Sequence, residues 1–262
     1  MKTVFQRPVS LKDVATHFCP GCQHGLIHRL VADAMDHFGV QQQTIGVASV
    51  GCSVFLYEYF DIDVVEAPHG RAPAVATGVK RARPDNFVFT YQGDGDLAAI
   101  GTSEIIHAAN RGELFTAIFV NNTTYGMTGG QMAPTTLPGQ RTLTSPEGRD
   151  VVMDGYPMRM AEVIATLDGA AYSVRVAVNN PKNILAAGKA IKKAFEYQIE
   201  KKGFAFVEIL SACPTNWGMS ALDANARVES EMIPYFQLGT FKDQERGTRD
   251  EGRENKDGVS HD

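Results

Sequence analysis

The sequence predicts an α/β fold with a three-layer, mostly parallel sheet, and two observations carry that reading. Short apolar runs alternate with longer stretches whose apolar residues recur at helical spacing, the order of βαβ units. Turns bearing glycine and polar groups stand at the ends of those runs, among them Gly51-Cys52-Ser53 and Gly93-Asp94-Gly95-Asp96. That is where open parallel sheets hold their ligands.

Residues 24–39 are expected to form a helix, with Leu26, Ile27, Leu30, Val31 and Met35 along one face. Residues 44–50 (TIGVASV) read as a strand ending at Gly51-Cys52-Ser53. Val64-Val65-Glu66 forms a second strand before Pro68-His69-Gly70, and residues 71–82 a helix. Phe87 to Tyr91 lead as a strand into Gln92-Gly93-Asp94-Gly95-Asp96, Leu97 to Asn110 are helical, and Ala117 to Val120 read as a buried strand before Asn121-Asn122. Later strands are expected at 173–178 and 204–210, and helices at 158–167 and 182–201. Asn180-Pro181 opens the second of these helices as a cap and first-turn pair. Residues 122–150 are rich in Thr, Gly and Pro, and a loop of that length in a compact domain serves function or binds a partner. A single domain is expected over 1–240. Residues 241–262 form a charged tail in which Lys242, Arg246, Arg249, Arg253 and Lys256 stand against seven acids, read as a solvated arm.

The chain of 262 residues is 44% hydrophobic and 21% charged, ordinary values for a globular protein. A net charge of −5 gives no reason to expect nucleic acid or an anionic membrane surface. The amino terminus lacks the apolar core of a secretory signal, and no run reaches the roughly 18 apolar residues of a membrane span. A cytoplasmic protein is expected.

Four cysteines are present: Cys19, Cys22, Cys52 and Cys213. The first pair, Cys19-Pro20-Gly21-Cys22, is spaced for two thiolates to reach one metal centre, which the other two could complete. Two disulfides do not suit a reducing compartment. A redox-active CxxC would leave Cys52 and Cys213 without a role. Between zinc and an iron–sulfur cluster, four cysteines alone do not choose.

Asp94 and the Asn121-Asn122 pair fall at the ends of two successive strands. A carboxylate and an amide oxygen there suit Mg²⁺, a hard cation that leaves its remaining positions to substrate phosphates. Gly93 and Gly95 let the backbone approach a diphosphate closely. The plain alternative is a hairpin-like turn followed by an Asn-rich loop.

In combination these motifs resemble the β subunits of 2-oxoacid:ferredoxin oxidoreductases, enzymes of thiamine diphosphate and iron–sulfur chemistry. The pieces are Cys19-Pro20-Gly21-Cys22-Gln23-His24-Gly25, Gly51-Cys52-Ser53, His69-Gly70-Arg71, Gly93-Asp94-Gly95-Asp96, Asn121-Asn122, Tyr125-Gly126-Met127-Thr128-Gly129-Gly130-Gln131 and Cys213-Pro214-Thr215. They cover Phe18 to about Asn216. The resemblance implies the diphosphate-binding domain of the thiamine-diphosphate-binding fold. It implies a [4Fe–4S] cluster on Cys19, Cys22, Cys52 and Cys213, and Mg²⁺ held by Asp94, Asn122 and the carbonyl of Thr124. The choice of Asn122 over Asn121, and the addition of Thr124, rest on the resemblance. It further implies that Gly51, Cys52, Ser53, His69, Gly93, Gly95, Asp96, Tyr125, Gly126, Met127 and Thr128 line the cofactor. His69 and His24 have plain alternatives as locally hydrogen-bonded histidines, and Arg71 as a surface charge.

In that family a 2-oxoacid is oxidatively decarboxylated, CoA takes the acyl group, and electrons pass through the cluster to ferredoxin. Thiamine enzymes activate the cofactor with a Glu from a pyrimidine-binding domain, for which this chain has no second α/β unit. No catalytic residue is therefore assigned here. Activity is expected only with an α or fused γα subunit, and a ferredoxin-like δ subunit could carry further clusters. Val54, Phe55 and Leu56, with Thr123 to Gly130, contain no Lys or Arg to meet a distal carboxylate. Relatives that use the dicarboxylate often carry a lysine where Gly129 stands. Branched-chain acids such as 2-oxoisovalerate are expected first, then 2-oxoglutarate, then pyruvate and aryl pyruvates. Two rival readings are a non-redox thiamine decarboxylase or synthase and a non-catalytic electron-transfer or scaffold subunit with structural zinc.

Overall fold

A computed structural model describes residues 6–244 of the chain. Its strands are β1 (Thr44–Ala48), β2 (Asp63–Glu66), β3 (Phe87–Gly93), β4 (Thr116–Asn121), β5 (Thr124–Tyr125), β6 (Gln131–Met132), β7 (Ala170–Ala177), β8 (Phe204–Leu210) and β9 (Gly239–Asp243). Seven of them make one sheet in the order β2-β1-β3-β4-β8-β7-β9, and β5 with β6 makes a separate hairpin. Every pairing in the large sheet is parallel except that of β9 with β7.

The helices are α1 (His24–Phe38), α2 (Leu56–Tyr59), α3 (Ala72–Ala82), α4 (Thr102–Arg111), α5 (Met160–Ala165), α6 (Pro181–Ile199), α7 (Pro214–Trp217), α8 (Ala221–Arg227) and α9 (Ile233–Tyr235). On one face of the sheet Ile27, Val31 and Met35 of α1 and Ile191 and Phe195 of α6 pack with Phe89, Tyr91, Ile118 and Val120. On the other, Ala76, Ile105, Ala108, Ala161 and Ile164 of α3, α4 and α5 pack with Val88, Ala117, Phe119 and Phe206. Alternate residues of β3 and β4 thus feed opposite cores. With both faces covered, the central strands read as continuous apolar runs. The predicted three layers and mostly parallel sheet are therefore the observed ones.

Elements found by apolar period lie where expected. Asn180 caps α6, its side chain accepting from Asn183 N at 2.9 Å, with Pro181 in the first turn. The helix expected over Leu97 to Asn110 is instead divided into a π-helical turn (Asp96–Ile100) and α4, with Gly101 between them. The break is steric. Gly70 has φ +77°, and a Cβ there would lie 2.6 Å from Gly101 N, so these two turns touch backbone to backbone. π turns of this kind recur at functional sites.

The boundary expected at residue 241 falls inside β9. Phe241 packs into the second core, and Tyr197 Oη donates to Asp243 at 2.5 Å. The rest of the expected tail, from residue 245, lies outside the described residues. Among the described residues no helix is long and apolar enough to cross a membrane.

Candidate cofactor site

β1, β3 and β4 are adjacent and parallel, so Gly51–Ser53, Gly93–Asp96 and Asn121–Thr124 emerge side by side at one edge. His69 and Gly70 join them from the loop after β2. Between these segments lies a cavity of about 100 Å³. All the residues expected around the cofactor line it: Gly51, Cys52, Ser53, His69, Gly93, Asp94, Gly95, Asp96, Asn122, Thr124, Tyr125, Gly126, Met127 and Thr128, joined by His24 and Val50. None of the lining residues is a Lys or Arg. Ordinary small-molecule sites enclose about 300–1,000 Å³, so the space within this chain is small for a cofactor-sized ligand.

Asp94 is buried and follows β3 directly. Gly95 N donates to Oδ1 at 2.9 Å, while Thr135 Oγ1 and Thr124 N donate to Oδ2 at 2.6 and 3.2 Å. Burial still pushes its carboxyl up to about 6, because these donors offset only part of the lost hydration. Asn122 Oδ1 accepts from Thr124 N at 3.3 Å at the cavity wall. Asn121 points the other way, its amide donating at 2.8 Å to Glu208 on β8. Glu208 is fully buried and paired with the equally buried Arg175 at 2.9 Å. The two-residue period of a strand therefore divides the Asn pair, one for the sheet interior and one for the cavity.

The two glycines of the turn differ. A Cβ on Gly93 would meet nothing within 4 Å, and the same holds for Gly51 at φ +104°. Both leave room for a ligand to approach the backbone. A Cβ on Gly95 would lie 2.3 Å from the Tyr125 ring, so its missing side chain houses Tyr125.

Both carboxylate oxygens of Asp96 are already engaged within the chain. Gln92 Nε2 and Gly70 N donate to it at 2.5 and 2.7 Å, and His69 Nδ1 shares its Oδ1. It fixes the His69 ring at the cavity edge. His24 is held by Tyr91 Oη, 2.7 Å from Nδ1, and burial followed by repulsion from His17 pushes it down to about 4. It is a neutral imidazole against the cavity.

The four cysteines are all free. Cys19 is exposed and the other three are partly covered. Burial, reinforced by repulsion from Cys213 and Cys19, pushes Cys22 up to about 11, and burial with repulsion from the other three pushes Cys52 up to about 12. Cys213 is also raised by burial. The thiols thus lie within electrostatic reach of one another. No three His, Cys, Asp or Glu side chains among the described residues are grouped tightly enough to share a single metal ion. Asn216 Nδ2 joins the thiols to the cavity wall, donating to Cys213 Sγ at 3.2 Å and Gly126 O at 2.7 Å. Cys52 Sγ lies 3.2 Å from where a Cβ on Gly126 would stand.

Residues 49–209 match the thiamine pyrophosphate enzyme family, in its C-terminal TPP-binding domain. The chain is 49% identical over 257 residues to ketoisovalerate oxidoreductase subunit VorA of Methanothermobacter thermautotrophicus, covering 94% of this chain and 54% of that protein. It is 38% identical over 222 residues to 2-oxoglutarate synthase subunit KorB of Methanocaldococcus jannaschii, covering 84% and 76% respectively. The chain belongs to the subunits of 2-oxoacid:ferredoxin oxidoreductases. A solved 2-oxoglutarate:ferredoxin oxidoreductase from Magnetococcus marinus, with 2-oxoglutarate, coenzyme A and succinyl-CoA bound, matches it with a TM-score of 0.75 at 28% identity, covering 92% of this chain and 86% of the other. The chain spans about half the length of the VorA relative.

For this oxidoreductase subunit some expected residues stand elsewhere. Val54, Phe55 and Leu56 do not line the cavity: Leu56 is in the core and Phe55 stacks edge-on against His17. Arg71, left open between a cofactor contact and a surface charge, pairs with Glu104 of α4 and does not line the cavity. Two residues behind the wall had drawn no attention in the sequence: Thr135 and Arg149. Thr135 and Arg149 lie in the stretch already singled out as too long for a plain connection.

Proposed function

We propose that this chain is the thiamine-diphosphate-binding subunit of an enzyme that converts a 2-oxoacid and CoA to acyl-CoA, CO₂ and one proton, with two oxidised ferredoxins taking one electron each. When bound, thiamine diphosphate supplies the electron sink that lets the carboxylate leave, and a [4Fe–4S] cluster supplies a one-electron acceptor. Support rests above all on one observation: Cys52 belongs at once to the cavity wall and to the thiol set. Any group on those cysteines adjoins whatever fills the cavity.

The residues suit the groups they would hold. Asp94, Asn122 and the Thr124 carbonyl offer three hard oxygen donors for Mg²⁺, with the remaining positions left to phosphate oxygens. The open space at Gly51 and Gly93 suits the diphosphate. Cys19, Cys22, Cys52 and Cys213 would hold the cluster. Neutral His24 and the Asp96-held His69 would orient polar groups at the mouth. The enclosed volume calls for a partner subunit to complete the wall and bring the activating Glu.

Substrate choice follows from the lining. Without Lys or Arg on this wall, a branched-chain acid such as 2-oxoisovalerate suits it better than a dicarboxylate, in line with the higher identity to the ketoisovalerate relative. The test is an anaerobic preparation of the complex with its partner, assayed for CoA-dependent ferredoxin reduction over a panel of 2-oxoacids. Turnover led by 2-oxoisovalerate is expected. Turnover of 2-oxoglutarate alone would overturn the substrate, and decarboxylation without ferredoxin reduction would overturn the redox assignment.

A further inference from the structure

The segment between β6 and α5 is folded around one buried side chain. Among the described residues Arg149 has no carboxylate within hydrogen-bonding distance, and its guanidinium donates to backbone carbonyls. Nη1 reaches Ala133, Pro134 and Thr136 at 3.2, 3.0 and 2.8 Å. Nε and Nη2 reach Gly155, Asp154 and Tyr156 at 2.9, 3.2 and 3.3 Å. The first three carbonyls bracket residue 135. A rigid fork with five donors suits this task as a lysine would not.

What the fork braces is a grip on the two turns that carry Asp94 and Asn122. Thr135 is fully buried, and its hydroxyl donates to Asp94 Oδ2 at 2.6 Å. The neighbouring Thr136 hydroxyl and Gln140 Nε2 donate to Thr123 O at 2.7 and 3.1 Å. Thr123 stands between Asn122 and Thr124 with φ +62°, a left-handed conformation that a β-branched residue resists. Neither Thr135 nor Arg149 lines the cavity. Their influence on a ligand therefore passes through the turn.

We infer that Thr135 is a positioning residue for Asp94: its hydroxyl engages one carboxylate oxygen and fixes the rotamer in which the group meets a divalent cation, with Arg149 holding Thr135 in place. This rests on the reading that Asp94 and Asn122 bind the cation of thiamine diphosphate. Groups that orient metal ligands are worth about 10–100-fold in metal affinity.

The test uses the partnered complex with excess thiamine diphosphate and Mn²⁺ as the probe, free Mn²⁺ being read by EPR. Thr135→Val keeps the shape and removes the donor; Thr135→Ser keeps the donor. Expected are a Mn²⁺ dissociation constant raised about 10–100-fold in the Val variant and restored to within a few fold in the Ser variant. The thermal midpoint of the metal-free Val complex should stay near wild type. Wild-type affinity in the Val variant, or equal losses in Val and Ser, would overturn the inference while leaving the cofactor reading intact. Absence of thiamine-dependent Mn²⁺ binding in the wild type would overturn both.

Discussion

The carboxylate half and the thiol half of the site are built on opposite principles. Asp94 is held by three donors and braced from behind by a loop that is itself tied to Arg149. The thiols come from three separate segments, repel one another, and have a single side-chain donor among the described residues, Asn216 to Cys213. The first half is preorganised before any ion arrives. The second is a set of groups whose ionised forms need a cationic centre to coexist. On the proposed reading, one half would select its ion by fixed geometry, and the other would take much of its order from what it binds.

Breaking the comparison at its weaker half should have the largest effect. Cys52→Ser should abolish iron retention and ferredoxin reduction in the anaerobically prepared complex, with thiamine diphosphate binding kept within a few fold by calorimetry. Loss of both together would mean that the halves are not separable. Next, Asp94→Asn should eliminate Mg²⁺-dependent thiamine diphosphate binding at millimolar Mg²⁺ while leaving the iron content unchanged. Gly95→Ala places a methyl group 2.3 Å from the Tyr125 ring. Overpacking of this kind costs about 1–3 kcal/mol, so cofactor affinity should fall about tenfold as the ring shifts toward the cavity. Unchanged affinity would show that Tyr125 has somewhere else to go.

The smallest effect concerns the aromatic cluster below the thiols. His28 is buried among Phe18, Tyr59, Phe60 and Tyr91, with neither ring nitrogen hydrogen-bonded. Burial, then His24 and His17, holds it well below the ordinary histidine range. The unfolded chain therefore binds a proton that the folded chain refuses. Stability is intact above about pH 6.5 and falls below it, by about 1.4 kcal/mol per unit for each such histidine. His28→Leu should stabilise the protein by about 1 kcal/mol at pH 7.5 and flatten the acid limb. Urea midpoints at pH 7.5 and 5 check this, and a steeper acid limb in the variant would contradict it.

The sheet was legible because its central strands bury both faces, and runs such as Phe204 to Leu210 have no other use. The cavity wall was legible because its residues sit in contiguous turns at strand ends. β9 was hidden by composition: Gly239, Lys242 and Asp243 look like a solvated stretch until Phe241 finds the core and Asp243 finds Tyr197. The short helices α7, α8 and α9 are too brief for a helical period. Thr135 and Arg149 were hidden because they act through backbone carbonyls and a single hydroxyl, interactions that local spacing does not encode. The packing of Tyr125 against Gly95 was hidden too, a contact between residues 30 positions apart.

The central claim is that the cavity and the thiol set work as one electron-transferring unit. It is tested most directly by adding 2-oxoisovalerate and CoA to the oxidised anaerobic complex, without ferredoxin, and recording low-temperature EPR. The account predicts a reduced iron–sulfur signal in the wild type, and its loss when Cys52→Ser alone is introduced. A wild-type complex that releases CO₂ from the 2-oxoacid with no such signal, or a signal indifferent to Cys52, would contradict it.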